Sequence, residues 1–294
     1  MNILVTGAKG QVGRELIEQG HLKGFSMVGT HHHELDITDR HAIENELFKN
    51  NIRLAINAAA YTAVDKAESE SEQAFEINSN GAACMASACS KANIPLIHIS
   101  TDYVFNGEKK EPYVETDSIS PIGVYGKSKA QGEAEVKNHL KQHIILRTSW
   151  VYGIHGHNFV KTMINLAKTT DIIRVVDDQI GCPSFARDIA KAILSIADHI
   201  QRQKEPQWGT YHYCGMGTTS WFGFAEKIFE FTNKFETLAL KQAVPIRTDE
   251  YPTAAKRPAN SALNCNLIHQ HFGIIQTPWE HSLEEMITDL YSSC

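Results

Sequence analysis

Tyr125 and Lys129 stand four residues apart in "VYGKSK" (124–129). On a helix that spacing puts a phenol and an ammonium on one face. A free tyrosine titrates at about 10, which makes it a weak proton donor at neutral pH. A nearby ammonium stabilises the phenolate and is expected to bring the phenol towards the range where proton transfer is efficient. Thr101, in "HISTDYVF" (98–105), is the third member. A hydroxyl there can hydrogen-bond a carbonyl and hold it for hydride attack. YxxxK is common by chance, and a lone threonine would read as a turn or cap residue. The order along the chain makes the set informative.

That order begins with "TGAKGQVG", which places Gly7, Gly10 and Gly13 directly after an apolar run and at the start of a helical pattern. Small residues let backbone approach a pyrophosphate, and a helix N-terminus offers free N–H groups. The spacing is GxxGxxG, and glycines alone also mark plain turns. The end of the second apolar run, at Thr30 and His31, lacks the carboxylate that holds an NAD ribose. Lys9 and Arg14 flank the glycines and suit a 2′-phosphate. The expected cofactor is therefore NADPH, with NADH as the alternative. Asp36 reads either as a partner of the adenine amino group or as a turn or cap acid.

These groups need a scaffold. "NILVT" (2–6), "FSMVG" (25–29), "RLAINA" (53–58), "PLIHIS" (95–100) and "HIILRTS" (143–149) are short and aliphatic, as strands buried on both faces are. Helical patterns fall near 11–19, 39–49, 70–92 and 126–139, with Asp39 and Ser69 as expected N-caps. The alternation implies an α/β fold with a doubly wound, parallel Rossmann-type sheet. Later come a helix at 158–168, a strand "IIRVVDD", a helix from about Ser184 and a surface connection "HIQRQKEPQWGT". A helix at 220–232, a proline-dotted tail and a last helix from about Trp279 follow. The expected division is residues 1–150 for the dinucleotide and mainly 151–294 for a smaller sugar-nucleotide region, with about 184–200 returning to the sheet.

The chain has 294 residues, 42% hydrophobic and 21% charged, which suits a soluble globular protein. A net charge of -6 argues against a nucleic-acid partner. No apolar run reaches the roughly 18 residues a membrane helix needs. "MNILVTG" reads as a buried strand, not a signal peptide, so the cytoplasm is expected. Cys84, Cys89, Cys182, Cys214, Cys265 and Cys294 form no CxxC pair, which suits free thiols and no metal site. "HHH" (31–33) reads as an exposed loop after a strand.

With the glycine turn, Thr101 and YxxxK in this order, the chain resembles the extended short-chain dehydrogenase/reductase family. "NAAAYTAVDKAESE", "STDYVFNGE", "RTSWVYG", "DDQIGCPS", "GTTSWFGFAEKIF" and "RPANSALN" make it similar to the dTDP-4-dehydrorhamnose reductases of that family, from Met1 to the final helix. The resemblance implies hydride transfer to C4 of dTDP-4-dehydro-L-rhamnose, with Tyr125 as acid, Lys129 tuning it and holding the nicotinamide ribose, and Thr101 on the reacting oxygen. It also implies Gly10, Gln11 and Val12 at the pyrophosphate, and Thr30 near the adenosine ribose. Asp36 and Ile37 would lie near adenine, and Ala60, Tyr61 and Thr62 along the cofactor. Asp102 and Trp150 would face the sugar nucleotide. Arg257 would meet the diphosphate or serve as an ion-pair partner. Asn158 would bond the sugar nucleotide or cap its helix, and Trp221 would pack in the core. A dTDP-sugar substrate, Mg²⁺ at a dimer contact and a homodimer complete the implied set. Rival readings are a 4-epimerase and a non-catalytic subunit; a 4,6-dehydratase would need "TDE" where this chain has "TDY".

Overall fold

A computed structural model describes residues 1–202 and 207–292. The five expected strands are present as β1 (Asn2–Thr6), β2 (Ser26–Thr30), β3 (Leu54–Asn57), β4 (Leu96–Thr101) and β5 (His143–Thr148). A sixth, Gly209–His212, pairs with β5. The spatial order is sixth–β5–β4–β3–β1–β2, and every pairing is parallel. This is the doubly wound α/β sheet that the alternation implies. The chain passes from β1 to β2 on one side and then to β3 on the other. A crevice therefore opens at the carboxyl ends of β1 and β3.

Side chains alternate between the two faces. Ile3, Val5, Leu54, Ile56, Ile97 and Ile144 meet Val12 and Leu16 of helix Gln11–Leu22 and Ile189 and Ile193 of helix Ala186–Arg202. Leu4, Ala55, Leu96 and Ile145 meet the opposite layer. That layer comprises helices Arg40–Lys49, Gly81–Ala92 and Val124–His139. Each fully buried aliphatic side chain contributes about 2 kcal/mol of transfer free energy, so covering both faces favours continuous apolar strands. Helix Ala186–Arg202 thus packs on the first half of the chain. A separate core around Tyr152, Phe224 and Trp279 joins helices Phe159–Ala167, Trp221–Thr232 and Trp279–Ser292.

Four readings change. The helix expected over 70–92 is broken into Ser71–Phe75, a π-helical turn Glu76–Asn80 and Gly81–Ala92. Within the turn Asn78 points inward, accepting from Tyr61 N (2.9 Å) and donating to Tyr61 O and Ser128 Oγ. Ser69 does not cap; its hydroxyl donates to Lys66 O (3.0 Å). Asp39 does cap, accepting from Ala42 N at 3.0 Å. The connection read over 199–210 ends in the sixth strand, whose "GTYH" lacks an aliphatic signature. Residues 203–206 of that connection, and Cys294, lie outside the described residues. The proline-dotted tail contains strand Gln242–Ile246, which pairs with Ile172–Val176, and helix Asn266–Phe272. Pro245 is tolerated because that ribbon has only two strands. Among the described residues no helix is long and apolar enough to cross a membrane.

Candidate active site

The crevice is a cleft of about 1020 Å³. Its floor is the glycine turn. Gly7 has φ +69°, and a Cβ there would lie 2.6 Å from Ala58 O. A Cβ on Gly13 would lie 2.1 Å from Gly7 O. Only glycines let the turn close on β3 and on its own helix. Gly10 caps helix Gln11–Leu22 without any side-chain hydrogen bond, so the first N–H groups stay open. Gly7, Gly10, Gln11, Val12 and Gly13 all line the cleft. So do Asp36, Ile37, Ala60 and Thr62.

Other expected cofactor residues sit differently. Tyr61 turns away from the cleft, and its hydroxyl donates to Glu70 at 2.5 Å. That bond, with burial, pushes the phenol up to about 12. Thr30 is buried behind the lining, and its Oγ1 has no hydrogen-bond partner among the described residues. Asp36 accepts from Thr38 N (2.9 Å) and Thr38 Oγ1 (2.8 Å), so it is a turn acid as well as a lining residue. Lys9 lines the cleft; Arg14 instead donates to Lys9 O (3.3 Å). The histidine run is not simply an exposed loop. His31 and His32 line the cleft, and His31 is held 2.7 Å from Glu34.

The reaction residues converge at the carboxyl end of β4. Helix Val124–His139 begins just before Tyr125, its first N–H capped from a distance by Glu68 Oε1 (2.9 Å to Val124 N). Gly126 lets that helix touch the turn after β4, since a Cβ would lie 2.2 Å from Tyr103 O. Thr101 Oγ1 donates to Asp102 Oδ1 at 2.9 Å and accepts from Tyr103 N at 3.2 Å. Lys129 is 2% exposed and donates to Ile99 O at 2.7 Å. Thr101, Asp102, Tyr125 and Lys129 all line the cleft.

The electrostatics correct one expectation. Burial pushes the Tyr125 phenol up to about 12; a hydrogen bond with Thr101 acts the other way, and nearby Asp102 raises it further. Lys129 does not offset this, because its ammonium is turned to the Ile99 carbonyl. Burial instead pulls Lys129 down to about 8. Asp102 is pushed up to about 6 by burial, and hydrogen bonds pull against that. A phenol that stays protonated at neutral pH remains available as a donor.

Trp150 lines the cleft with φ +46°, a strained conformation for a bulky residue and one that clusters at functional sites. Its ring stacks on Trp221 (3.6 Å, 8°) and its Nε1 donates to Ser261 Oγ (3.1 Å). Trp221 therefore backs this wall as well as packing on Phe159. Asn158 does not line the cleft. It caps its helix, accepting from Lys161 N, and donates to Gly153 O (2.7 Å) and Gln11 Oε1 (2.9 Å). Arg257 is likewise outside the lining and is paired with Asp65 at 2.8 Å. Both carry the partners of the second reading, a helix cap and an ion pair. Thr148 and Ser149, at the end of β5, line the cleft and were not singled out from sequence. The rule that placed Thr101 at a strand's carboxyl end applies equally to "RTSW".

The residues fit a dinucleotide: a helix start without a side-chain cap, a glycine cradle that any Cβ would fill, and buried hydroxyls at Thr30 and Thr148 that have no partner among the described residues. Glu15, Glu18 and His155 bring one ligand atom each within 4.8 Å of one another. None of them lines the cleft, and Arg187 already pairs with Glu15 (3.4 Å).

Comparison with known proteins agrees with this geometry. The model of the RmlD substrate binding domain matches residues 1–292. The dTDP-4-dehydrorhamnose reductase of Aggregatibacter actinomycetemcomitans is 43% identical, over 97% of both chains. A crystal structure of a dTDP-4-dehydrorhamnose reductase from Clostridium acetobutylicum superposes with a TM-score of 0.92 at 40% identity, covering 99% of each chain. The Bacillus anthracis dTDP-4-dehydrorhamnose reductase, solved in complex with NADP, gives 0.90 at 38% identity, covering 98% of this chain and 99% of that one. This chain belongs to the RmlD substrate-binding-domain family, the family of the dTDP-4-dehydrorhamnose reductases.

Proposed function

We propose that the protein is an NADPH-dependent reductase of the C4 ketone of dTDP-4-dehydro-L-rhamnose, yielding dTDP-L-rhamnose. The observation that carries this reading is the convergence of Thr101, Tyr125 and Lys129 on the cleft that the glycine turn floors. The substrate and the cofactor come from the family and from the NADP complex of the Bacillus anthracis relative. NADPH, when bound, supplies the hydride that goes to the sugar's C4.

The chain's own residues do the rest. The open N–H groups at Gln11 and Val12, just after Gly10, receive the pyrophosphate, while the Gly10 N–H is bonded to Gly7 O (2.9 Å). Lys9, beside them, suits a 2′-phosphate. Ala60 and Thr62 border the cofactor on the β3 side, and Asp36 and Ile37 border the adenine end. Thr101 holds the ketone oxygen. Tyr125 gives that oxygen its proton as hydride arrives, and the resulting phenolate is reprotonated from solvent. Lys129 as ammonium, its Nζ held at Ile99 O, keeps the nicotinamide ribose in place. Asp102 and the Trp150–Trp221 wall bound the sugar-nucleotide side. Residues 1–150 with helix Ala186–Arg202 form the cofactor part, and most of 151–294 the substrate part. Mg²⁺ is not part of the proposal.

Loss of NADPH absorbance with dTDP-4-dehydro-L-rhamnose tests the reading, with Tyr125→Phe as control. The expected result is turnover in the parent and a loss on the order of 10²-fold or more in the variant, the scale for removing a general acid. A parent that turns nothing over would favour a non-catalytic subunit. A variant as fast as the parent would remove Tyr125 from the role of acid.

A further inference from the structure

Thr6, Asn57 and His98 form one row across β1, β3 and β4. Each is 1% exposed. All three point to the face that helix Val124–His139 covers, and the row ends at Lys129. The Asn57 amide has only one workable orientation. Its Oδ1 lies 3.2 Å from Ala59 N, which can only donate, and accepts from Thr6 Oγ1 at 2.7 Å. Its Nδ2 therefore faces His98 Nδ1, at 3.2 Å, and that ring nitrogen must accept. Burial, and then the charge of Lys129, hold His98 neutral, well below its ordinary titration range. The single ring proton is thus on Nε2, which points at Lys129 Nζ from 3.5 Å. An N–H dipole aimed at an ammonium opposes its charge, whereas a neutral amine accepts from it.

We propose that His98, fixed in the Nε2–H tautomer by Asn57, is a positioning residue that sets how readily Lys129 gives up its proton. His98 does not line the cleft, so it acts only through Lys129. Other charged groups face this pair. Glu133, one turn along the helix, favours the ammonium, but its oxygens are bonded to Ser100 (2.6 Å) and Arg147 (2.7 and 2.8 Å). Lys137 lies 3.8 Å from Glu133. His143 on β5 disfavours a charge on His98. Tyr125 shares the helix, and Asp102 bears on Tyr125. Asn78, packed on the same helix, is uncharged and bonded to Ser128.

The inference rests on the reductase reading, in which Lys129 works as an ammonium. With Lys129 titrating at about 8, that ammonium is complete at low pH and is lost as pH rises through this value. Two substitutions reverse the dipole. Once ionised, Asn57→Asp can only accept, so it moves the ring proton to Nδ1 and turns Nε2 into an acceptor for the ammonium. His98→Gln can present its carbonyl oxygen to Nζ. In both, the alkaline limb of kcat/KM is expected to move up by about half a pH unit or more. A purely structural role would lower the rate at every pH and leave the limb in place. The ¹⁵N spectrum of the full chain without cofactor gives a second reading that needs no turnover. Between about pH 6 and 8 it should show His98 protonated on Nε2 in the parent and on Nδ1 in Asn57→Asp. An Nδ1–H parent, or a limb unmoved in both variants, overturns the proposal. A parent inactive on the sugar nucleotide would sink the reductase reading, while the nitrogen spectrum would still decide the tautomer.

Discussion

Asp102 is where charge and burial conflict most clearly. It is 2% exposed, and its Oδ2 has no hydrogen-bond partner among the described residues. Its carboxyl titrates at about 6, against an ordinary 3.8. The folded chain therefore holds this proton more tightly than the unfolded chain, and ionisation costs stability as pH rises from about 4 to about 6. A difference of two units corresponds to about 3 kcal/mol. Asp102→Asn should be more stable than the parent above pH 6, by up to that amount, with the advantage gone near pH 4. Thermal melts at the two pH values check this; an equal difference at both would refute it. Tyr125 teaches a related lesson. YxxxK was readable, but which way the ammonium points was not, because that depends on the Ile99 carbonyl of β4, distant in the chain.

Single glycines decide how the elements approach each other. Gly126 sits between Tyr125 and Lys129 and touches the backbone of Tyr103. Gly126→Ala must push helix Val124–His139 off the turn after β4, moving Tyr125 away from Thr101. The expected cost is about 1–3 kcal/mol of stability. A fall in kcat of about tenfold or more should accompany it, since small displacements of acid from substrate are expensive. Affinity for NADPH, measured by fluorescence titration, should change much less, because the glycine turn lies elsewhere. Equal losses in both would mean that the helix does not position the acid independently. Most elements were legible because strands covered on both faces must be aliphatic and amphipathic helices must follow them. The sixth strand, the π-helical turn and the second strand of the late ribbon were not. Their sequences are short or polar, and each is held by partners distant in the chain: β5, Tyr61 with Ser128, and Ile172–Val176.

At the scale of the whole molecule, two cores cover the faces of the sheet and a third belongs to the late-chain helices. Helix Ala186–Arg202 leaves the late-chain region to pack on the sheet, and Trp150, just after β5, stacks on Trp221 at the cleft wall. The cleft between them is lined by residues from the ends of β1, β3, β4 and β5. Sequence reasoning brought the glycine turn, Thr101, Tyr125 and Lys129 to one cleft, since their signals are local to motifs. It left Asn158 and Arg257 between two readings, since arginine and asparagine have many uses, and here Arg257 pairs with Asp65 and Asn158 bonds Gln11. Reduction of the ketone requires that a hydride pass from cofactor to sugar and remain there. NADPH carrying deuterium on the transferred position of its dihydropyridine ring, incubated with dTDP-4-dehydro-L-rhamnose, tests this most directly. One deuterium at C4 of the product sugar for each NADPH consumed is the predicted result. Sugar interconverted without net NADPH consumption, or product with hydrogen at C4, would contradict it.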